Sequence, residues 1–144
     1  MPIRFLYEKD YRIKNPRKTA AWIKESAKRE RKVVGDINYV FCSDSYLLKL
    51  NQQFLSHSTY TDIITFDYSS GKTISGEIYI SLDRVIENSI RFKVSLQNEL
   101  LRVMIHGVLH LSGYKDKKGG EKAIMRKKEE ACLSLWKKMF HVKP

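Results

Sequence analysis

The segment from Leu96 to Leu111 constrains the fold more than any other part of the chain, because it is typical of one amphipathic helix. Apolar or small residues recur there at helical spacing: Leu96, Leu100, Val103, Met104, Gly107 and Leu111. At 100° per residue, Glu99, Arg102, His106 and His110 share an adjacent polar face. Ser95 precedes the helix as an N-cap, and Gly113 follows it where the chain must turn back. The pattern predicts an amphipathic helix that presents two imidazoles on one side.

Histidines four residues apart on a helix can bind one metal ion, and here they begin the segment HGVLHLSGYKD. Asp116, just beyond the turn at Gly113, can supply a third ligand, although aspartate is also common as a solvated turn residue. The spacing is that with which several zinc hydrolases close a three-ligand site and leave a position for water. We therefore expect one zinc ion per chain, held by His106, His110 and Asp116.

The residue after the first histidine argues against one class of metal enzyme. Proteases of the HExxH type need a glutamate there as general base, and this chain has Gly107, which cannot transfer a proton. Peptide hydrolysis by that mechanism is disfavoured.

The rest of the chain shows short strand and helix patterns that alternate over 144 residues, which favours one domain, residues 1–144. Strands are predicted over Ile3–Tyr7, Ile37–Cys42, Thr61–Tyr68 and Thr73–Ser81. Further helices are predicted from Pro16 to about Lys32, after Ser43–Ser45, from Asp83 to about Phe92 and from Glu121 to about Phe140. Asn15 is expected to cap the first helix, and Gly35 to end the connection after it. The expected fold class is α+β, a small mixed β-sheet packed with helices and a metal site at the end of the HxxxH helix.

Charge points to a polyanionic partner. Lysine and arginine number 27 against 16 acidic residues, which leaves a formal net charge of +11. Such a surface favours nucleic acid, although solubility alone is the alternative. Lys115, Lys117 and Lys118 lie next to the proposed metal ligands and are predicted to contact RNA phosphates.

Location follows from what the sequence lacks. No apolar stretch approaches the length of a membrane span, and the first residues lack the pattern of a signal peptide. Only two cysteines occur, far apart, so a reducing cytoplasm fits best. We expect a cytoplasmic protein with no membrane partner.

Three segments resemble the YbeY family of rRNA maturation factors, which are metal-dependent endoribonucleases. HGVLHLSGYKD resembles the family signature HGxLHLxGYDH. Upstream, LNQQFLSHSTYTDIITF, from Leu50 to Phe66, is similar to the LN segment and TDVLSF of the family, and ISGEIYIS is similar to its GDIxIS strand. Together they cover most of the chain from Leu50 to Glu130.

The resemblance implies a zinc-dependent, single-strand-specific endoribonuclease that acts in 16S rRNA 3′-end maturation and ribosome quality control. Its implied partners are rRNA and the small ribosomal subunit. Two positions depart from the family pattern: Asp116 stands at the third histidine, and Leu55 at an arginine implicated in activity. The aspartate charge lowers the net positive charge of the site, which predicts a slower hydrolase than an all-histidine site.

Further residues have two interpretations each. Arg102, one turn before His106, is the candidate catalytic cation, since a guanidinium can bind phosphate oxygens, or it is an ordinary surface arginine. Glu99 either orients a ligand histidine or complements the helix N-terminus. His57 is an RNA contact or a surface histidine.

Two other functions remain open from the sequence. The first is a non-catalytic RNA-binding ribosome assembly factor whose metal is structural, which Leu55 and Asp116 motivate. The second is an iron(II) oxygenase, since two histidines and one carboxylate form its ligand set. The protein is expected to be a monomer.

Overall fold

The computed structural model describes residues 2–55 and 61–144, and this part of the chain forms a mixed sheet with helices on both faces. The strands are β1 (Ile3–Tyr7), β2 (Val33–Cys42), β3 (Ile63–Asp67) and β4 (Thr73–Ser81). The helices are α1 (Pro16–Arg29), α2 (Asp44–Leu55), α3 (Leu82–Arg91), α4 (Leu96–Leu111) and α5 (Gly119–Phe140). The strand order is β1-β2-β4-β3, in which β3 alone is antiparallel to its neighbour. The predicted α+β class is confirmed.

Alternation along the strands builds two apolar layers, because successive side chains of a strand point to opposite faces. Ile37, Tyr39 and Phe41 of β2 belong to the larger core, which includes residues of α1, α4 and α5. Cys42 at the end of β2 belongs instead to a smaller cluster with Leu47 of α2. The larger core therefore holds α4 against the sheet.

Close packing fixes the position of α4 beside β3 and β4. The Tyr39 hydroxyl donates to the Met104 carbonyl at 3.0 Å. A Cβ atom added at Gly107 would lie 2.9 Å from Ile78 Cδ1 and 3.2 Å from Ile63 Cδ1. Only glycine allows the helix to approach this closely, so a glutamate at this position would collide with the sheet.

The first residue of α1 is predicted correctly, but its capping interaction is not. Pro16 is the first helical residue, as expected, but Asn15 makes no side-chain cap. Asn15 has φ 53°, a left-handed conformation that asparagine tolerates better than most residues. In this conformation its carbonyl still accepts the Thr19 N–H, which begins the helical ladder.

The predicted boundary between α1 and β2 is wrong. The helix ends at Arg29 and the strand begins at Val33, so Gly35 lies inside β2 and not in a connection. Val33 and Val34 form strand because Thr73 and Ile74 of β4 pair with them. This pairing partner lies far along the chain and gives no local signal.

Candidate metal centre

The end of α4 folds the chain back over its own last turns. The N–H groups of Gly113 and Tyr114 donate to carbonyls in the final turn of α4, both at 3.0 Å, in the pattern of a Schellman motif. Gly113 has φ 107°, a conformation that side-chain-bearing residues rarely adopt. The reversal brings Asp116 back to His106 and His110, as the spacing predicted.

Three ligand atoms converge at this point. His106 Nε2 lies 3.0 Å from His110 Nε2 and 3.1 Å from one carboxylate oxygen of Asp116. The other carboxylate oxygen of Asp116 lies 3.5 Å from His110 Nε2. A tetrahedral zinc ion with bonds of about 2.0–2.1 Å separates its ligand atoms by about 3.3 Å. One ligand atom from each of the three residues lies within 4.8 Å of the other two, so the group could hold one metal ion, and its donors are of the kind that zinc takes.

His106 is oriented from behind by Glu129 of α5, a residue that sequence analysis missed. Glu129 Oε2 lies 2.5 Å from His106 Nδ1, and its side chain is 3% exposed. Because an ionised carboxylate only accepts hydrogen bonds, Nδ1 carries the proton and Nε2 turns its lone pair to the ligand cluster. Burial alone would lower the pKa of His106, but the hydrogen bond and charge of Glu129, with the charges of Asp116 and Asp62, outweigh burial and raise it.

Arg102 completes a buried ionic network behind the ligands. Its Nε and Nη2 donate to the two oxygens of Glu99 at 3.0 and 2.5 Å, and its Nη1 donates to Glu129 at 2.9 Å. Glu99 therefore binds Arg102, and the role of orienting a ligand histidine belongs to Glu129. Arg102 also lines the smaller cavity beside His106, and its predicted phosphate contact stays a prediction.

One signal in the sequence points to Glu129. The residue lies on the apolar face of α5, four residues after Met125, four before Leu133 and seven before Trp136, all of them buried. A carboxylate in such a stripe is costly unless it is paired and hydrogen-bonded. An acid at core spacing therefore indicates a buried partner, although not which one.

The ligand cluster opens into a cleft along β3. Two adjoining concavities of about 690 and 370 Å³ share Thr61, Ile63 and His110. The larger one lies between α2, β3 and α4, and both Leu55 and Lys117 line it. The cleft therefore combines an apolar wall, a lysine and the ligand cluster.

The other residues predicted to contact RNA are Lys115, Lys118 and His57. Lys115 and Lys118, which flank Lys117 in the sequence, are exposed. Asp62 lines the smaller concavity with the ligand cluster. His57 lies outside the described residues.

Tyr114 anchors the loop that carries Asp116. Its hydroxyl donates to Glu30 Oε1 at 2.5 Å, and Lys128 Nζ donates to Glu30 Oε2 at 3.0 Å. The Lys128 ammonium also lies 5.4 Å from the centroid of the Tyr114 ring. Glu30 thereby links the loop to both α1 and α5.

Replacing Tyr114 by phenylalanine is expected to weaken zinc binding by about tenfold, because Asp116 loses an outer restraint while the ring keeps its packing. Competition with a chromophoric chelator measures this change. Tyr68→Phe is the matched control, since Tyr68 is 62% exposed and outside the loop. A Tyr114→Phe protein that unfolds more easily yet binds zinc with unchanged affinity would show that the anchor does not position Asp116.

Comparison with known proteins shows which family the chain resembles. The family model described as Endoribonuclease YbeY matches residues 7–137. A protein of Flavobacterium psychrophilum named Endoribonuclease YbeY is 51% identical over 98% of this chain and 98% of its own length. One of the same name from Christiangramia forsetii is 45% identical over 97% of this chain and 95% of its length.

A solved structure shows the same architecture. The solution structure of TM1509 from Thermotoga maritima has a TM-score of 0.63 and 30% identity, covering 96% of this chain and 93% of that one. Sequence and structure thus agree over nearly the full length of the relatives, and the chain belongs to the YbeY endoribonuclease family.

Proposed function

We propose that this chain is a zinc-dependent, single-strand-specific endoribonuclease that acts in 16S rRNA 3′-end maturation and ribosome quality control. The observation that carries the proposal is the cluster of His106, His110 and Asp116, whose ligand atoms lie close enough together to hold one metal ion. Membership of an endoribonuclease family supports RNA as the substrate.

The residues around the ligands have distinct roles in this proposal. A bound zinc ion supplies Lewis-acid stabilisation of phosphate oxygens and makes water more acidic. Glu129 holds the tautomer of His106, and Arg102 balances the charge of Glu129. Lys115, Lys117 and Lys118 hold the phosphates of the strand without reading its sequence.

The proposed setting is the cytoplasm, where the protein acts as a monomer on the small ribosomal subunit. No helix within residues 2–55 and 61–144 has the length and apolar character needed to cross a membrane. The formal net charge of +11 supports binding to rRNA, and the affinity should fall steeply with salt as phosphate contacts are screened.

One observation favours a second candidate, a non-catalytic assembly factor with a structural metal. Leu55 is 44% exposed and lines the cleft beside His110. A site that cleaves RNA is expected to hold a cation at this position to bind a phosphate, and leucine cannot do so. In that case the site binds zinc and RNA but does not cleave.

Metal analysis combined with a cleavage assay separates the two candidates. We expect about one zinc per chain and cleavage of unpaired RNA that stops on chelation and returns with zinc. Asp116→Ala should lose zinc and cleavage together, whereas Asp10→Ala, at an exposed position, should keep both. A zinc-loaded wild type that leaves unpaired RNA intact would favour the assembly factor.

A further inference from the structure

The outer edge of β3 faces the cleft. β3 is the last strand of the sheet and pairs with β4 on one side, and no other strand among residues 2–55 and 61–144 pairs with it. An edge strand exposes a row of backbone N–H and C=O groups that can bind another chain.

The hydrogen-bond register identifies which residues expose these groups. The Ser81 N–H donates to the Asp62 carbonyl, and the Tyr68 N–H donates to the Ser75 carbonyl, both at 2.9 Å. In an antiparallel pair, bonded positions alternate with positions whose backbone groups point away. The even-numbered residues of the 62–68 segment therefore bond to β4, while Ile63, Thr65 and Asp67 direct their N–H and C=O groups outward.

The same three residues line the larger part of the cleft, together with His110 and Lys117. The Ile63 carbonyl accepts the Thr61 hydroxyl at 3.3 Å, so it already has a partner. Thr65, two residues further from the ligand cluster, presents both an N–H and a C=O to the cleft. A polar recognition edge thus begins beside the proposed metal site and runs along the cleft.

We propose that the outer edge of β3, centred on the backbone of Thr65, binds unpaired bases of an RNA strand held at the ligand cluster. This inference rests on the proposed function and deepens it. The Watson–Crick edge of a base carries donors and acceptors side by side, which a backbone N–H and C=O can pair with. Outward groups recur every two residues, about 6.7 Å apart, so neighbouring bases have separate partners.

The geometry gives a reason for a preference for single strands. In a duplex the Watson–Crick edges of the bases pair with one another and cannot reach the strand edge. An extended peptide could also add to β3. Lys117 in the cleft and the net charge of +11 favour a polyanionic strand over a peptide.

Thr65→Pro tests the inference, because proline removes the outward N–H and leaves the bonds of the neighbouring residues to β4 in place. Anisotropy with the zinc-loaded protein compares a labelled, unstructured RNA with an abasic strand of equal length. We expect Thr65→Pro to bind the RNA about tenfold more weakly or worse, with abasic-strand affinity changed by less than about twofold. Thr65→Val keeps the N–H and is the matched control for the side chain, because any loss it causes should be equal for the RNA and the abasic strand.

If Thr65→Pro does not fold, the backbone ester at residue 65, which replaces the N–H by oxygen, is expected to show the same selective loss. Wild-type RNA affinity in the folded proline variant or in the ester would overturn the inference, as would an equal loss for the abasic strand. Loss of binding to an extended peptide with RNA affinity retained would assign the edge to a protein strand and overturn it too.

The test separates this inference from the proposed function. A wild type that cleaves RNA, with a proline variant of unchanged affinity, contradicts only the role of the β3 edge. A wild type that does not cleave but shows the selective loss in Thr65→Pro contradicts only the catalytic proposal.

Discussion

His110→Ala is expected to abolish stable zinc binding and to lower the rate of RNA cleavage by at least about 10³-fold. Removing a single hydrogen-bond donor to the transition state already lowers an enzyme's rate by about 10²–10³-fold. A metal ion carries more charge than such a donor, so its loss should lower the rate further. His110 offers one of the three candidate ligand atoms, 3.0 Å from His106 Nε2. Its side chain is 29% exposed, so its loss removes little packing. The metal-free variant should therefore unfold with nearly the free energy of the metal-free wild type.

Elemental analysis, single-turnover cleavage and chemical denaturation test this prediction together. The matched control is His141→Asn, which replaces an exposed histidine after α5 by a residue that tolerates its left-handed backbone, φ 59°. A folded His110→Ala protein that cleaves RNA at the wild-type rate would refute the catalytic site. A variant that fails to fold even in the presence of chelator would instead indicate that the histidine is structural.

Glu129→Gln is expected to lower the free energy of unfolding by about 3 kcal/mol, since it leaves the Arg102 guanidinium partly buried with one anionic partner fewer. Glu129 accepts from both Arg102 Nη1 and His106 Nδ1, and a neutral amide cannot balance both. Its NH₂ group would also favour the wrong tautomer of His106. We therefore expect zinc affinity to fall by about 10- to 100-fold.

The neighbouring residue provides the control, because Glu130 has the same chemistry on the exposed face of α5. Glu130→Gln should change neither stability nor zinc affinity. Adding Arg102→Met to Glu129→Gln should cost less stability than the sum of the two single changes, because Arg102→Met alone leaves both Glu99 and Glu129 without their cation, whereas the double variant leaves only Glu99. Additive losses, or unchanged zinc affinity in Glu129→Gln, would mean that the network does not support the ligands.

Much of the fold follows from local signals. Ser95 caps α4 with a hydrogen bond from the Asn98 N–H at 2.9 Å, and the predicted bounds of this helix are those of the structure. The strand Thr73–Ser81 is likewise confirmed. Val33 and Val34 were missed because their strand conformation depends on pairing with Thr73 and Ile74 of β4, about 40 residues away along the chain.

The sequence by itself determined the convergence of His106, His110 and Asp116, because helical periodicity and the turn at Gly113 act over a few residues. Which side chains surround these three residues is decided only by the tertiary structure. Glu129 reaches His106 because α5 packs on α4, and that contact depends on the whole core. The outward edge of β3 depends in the same way on strand order and register, which are set by long-range pairing and have no signature in a single segment.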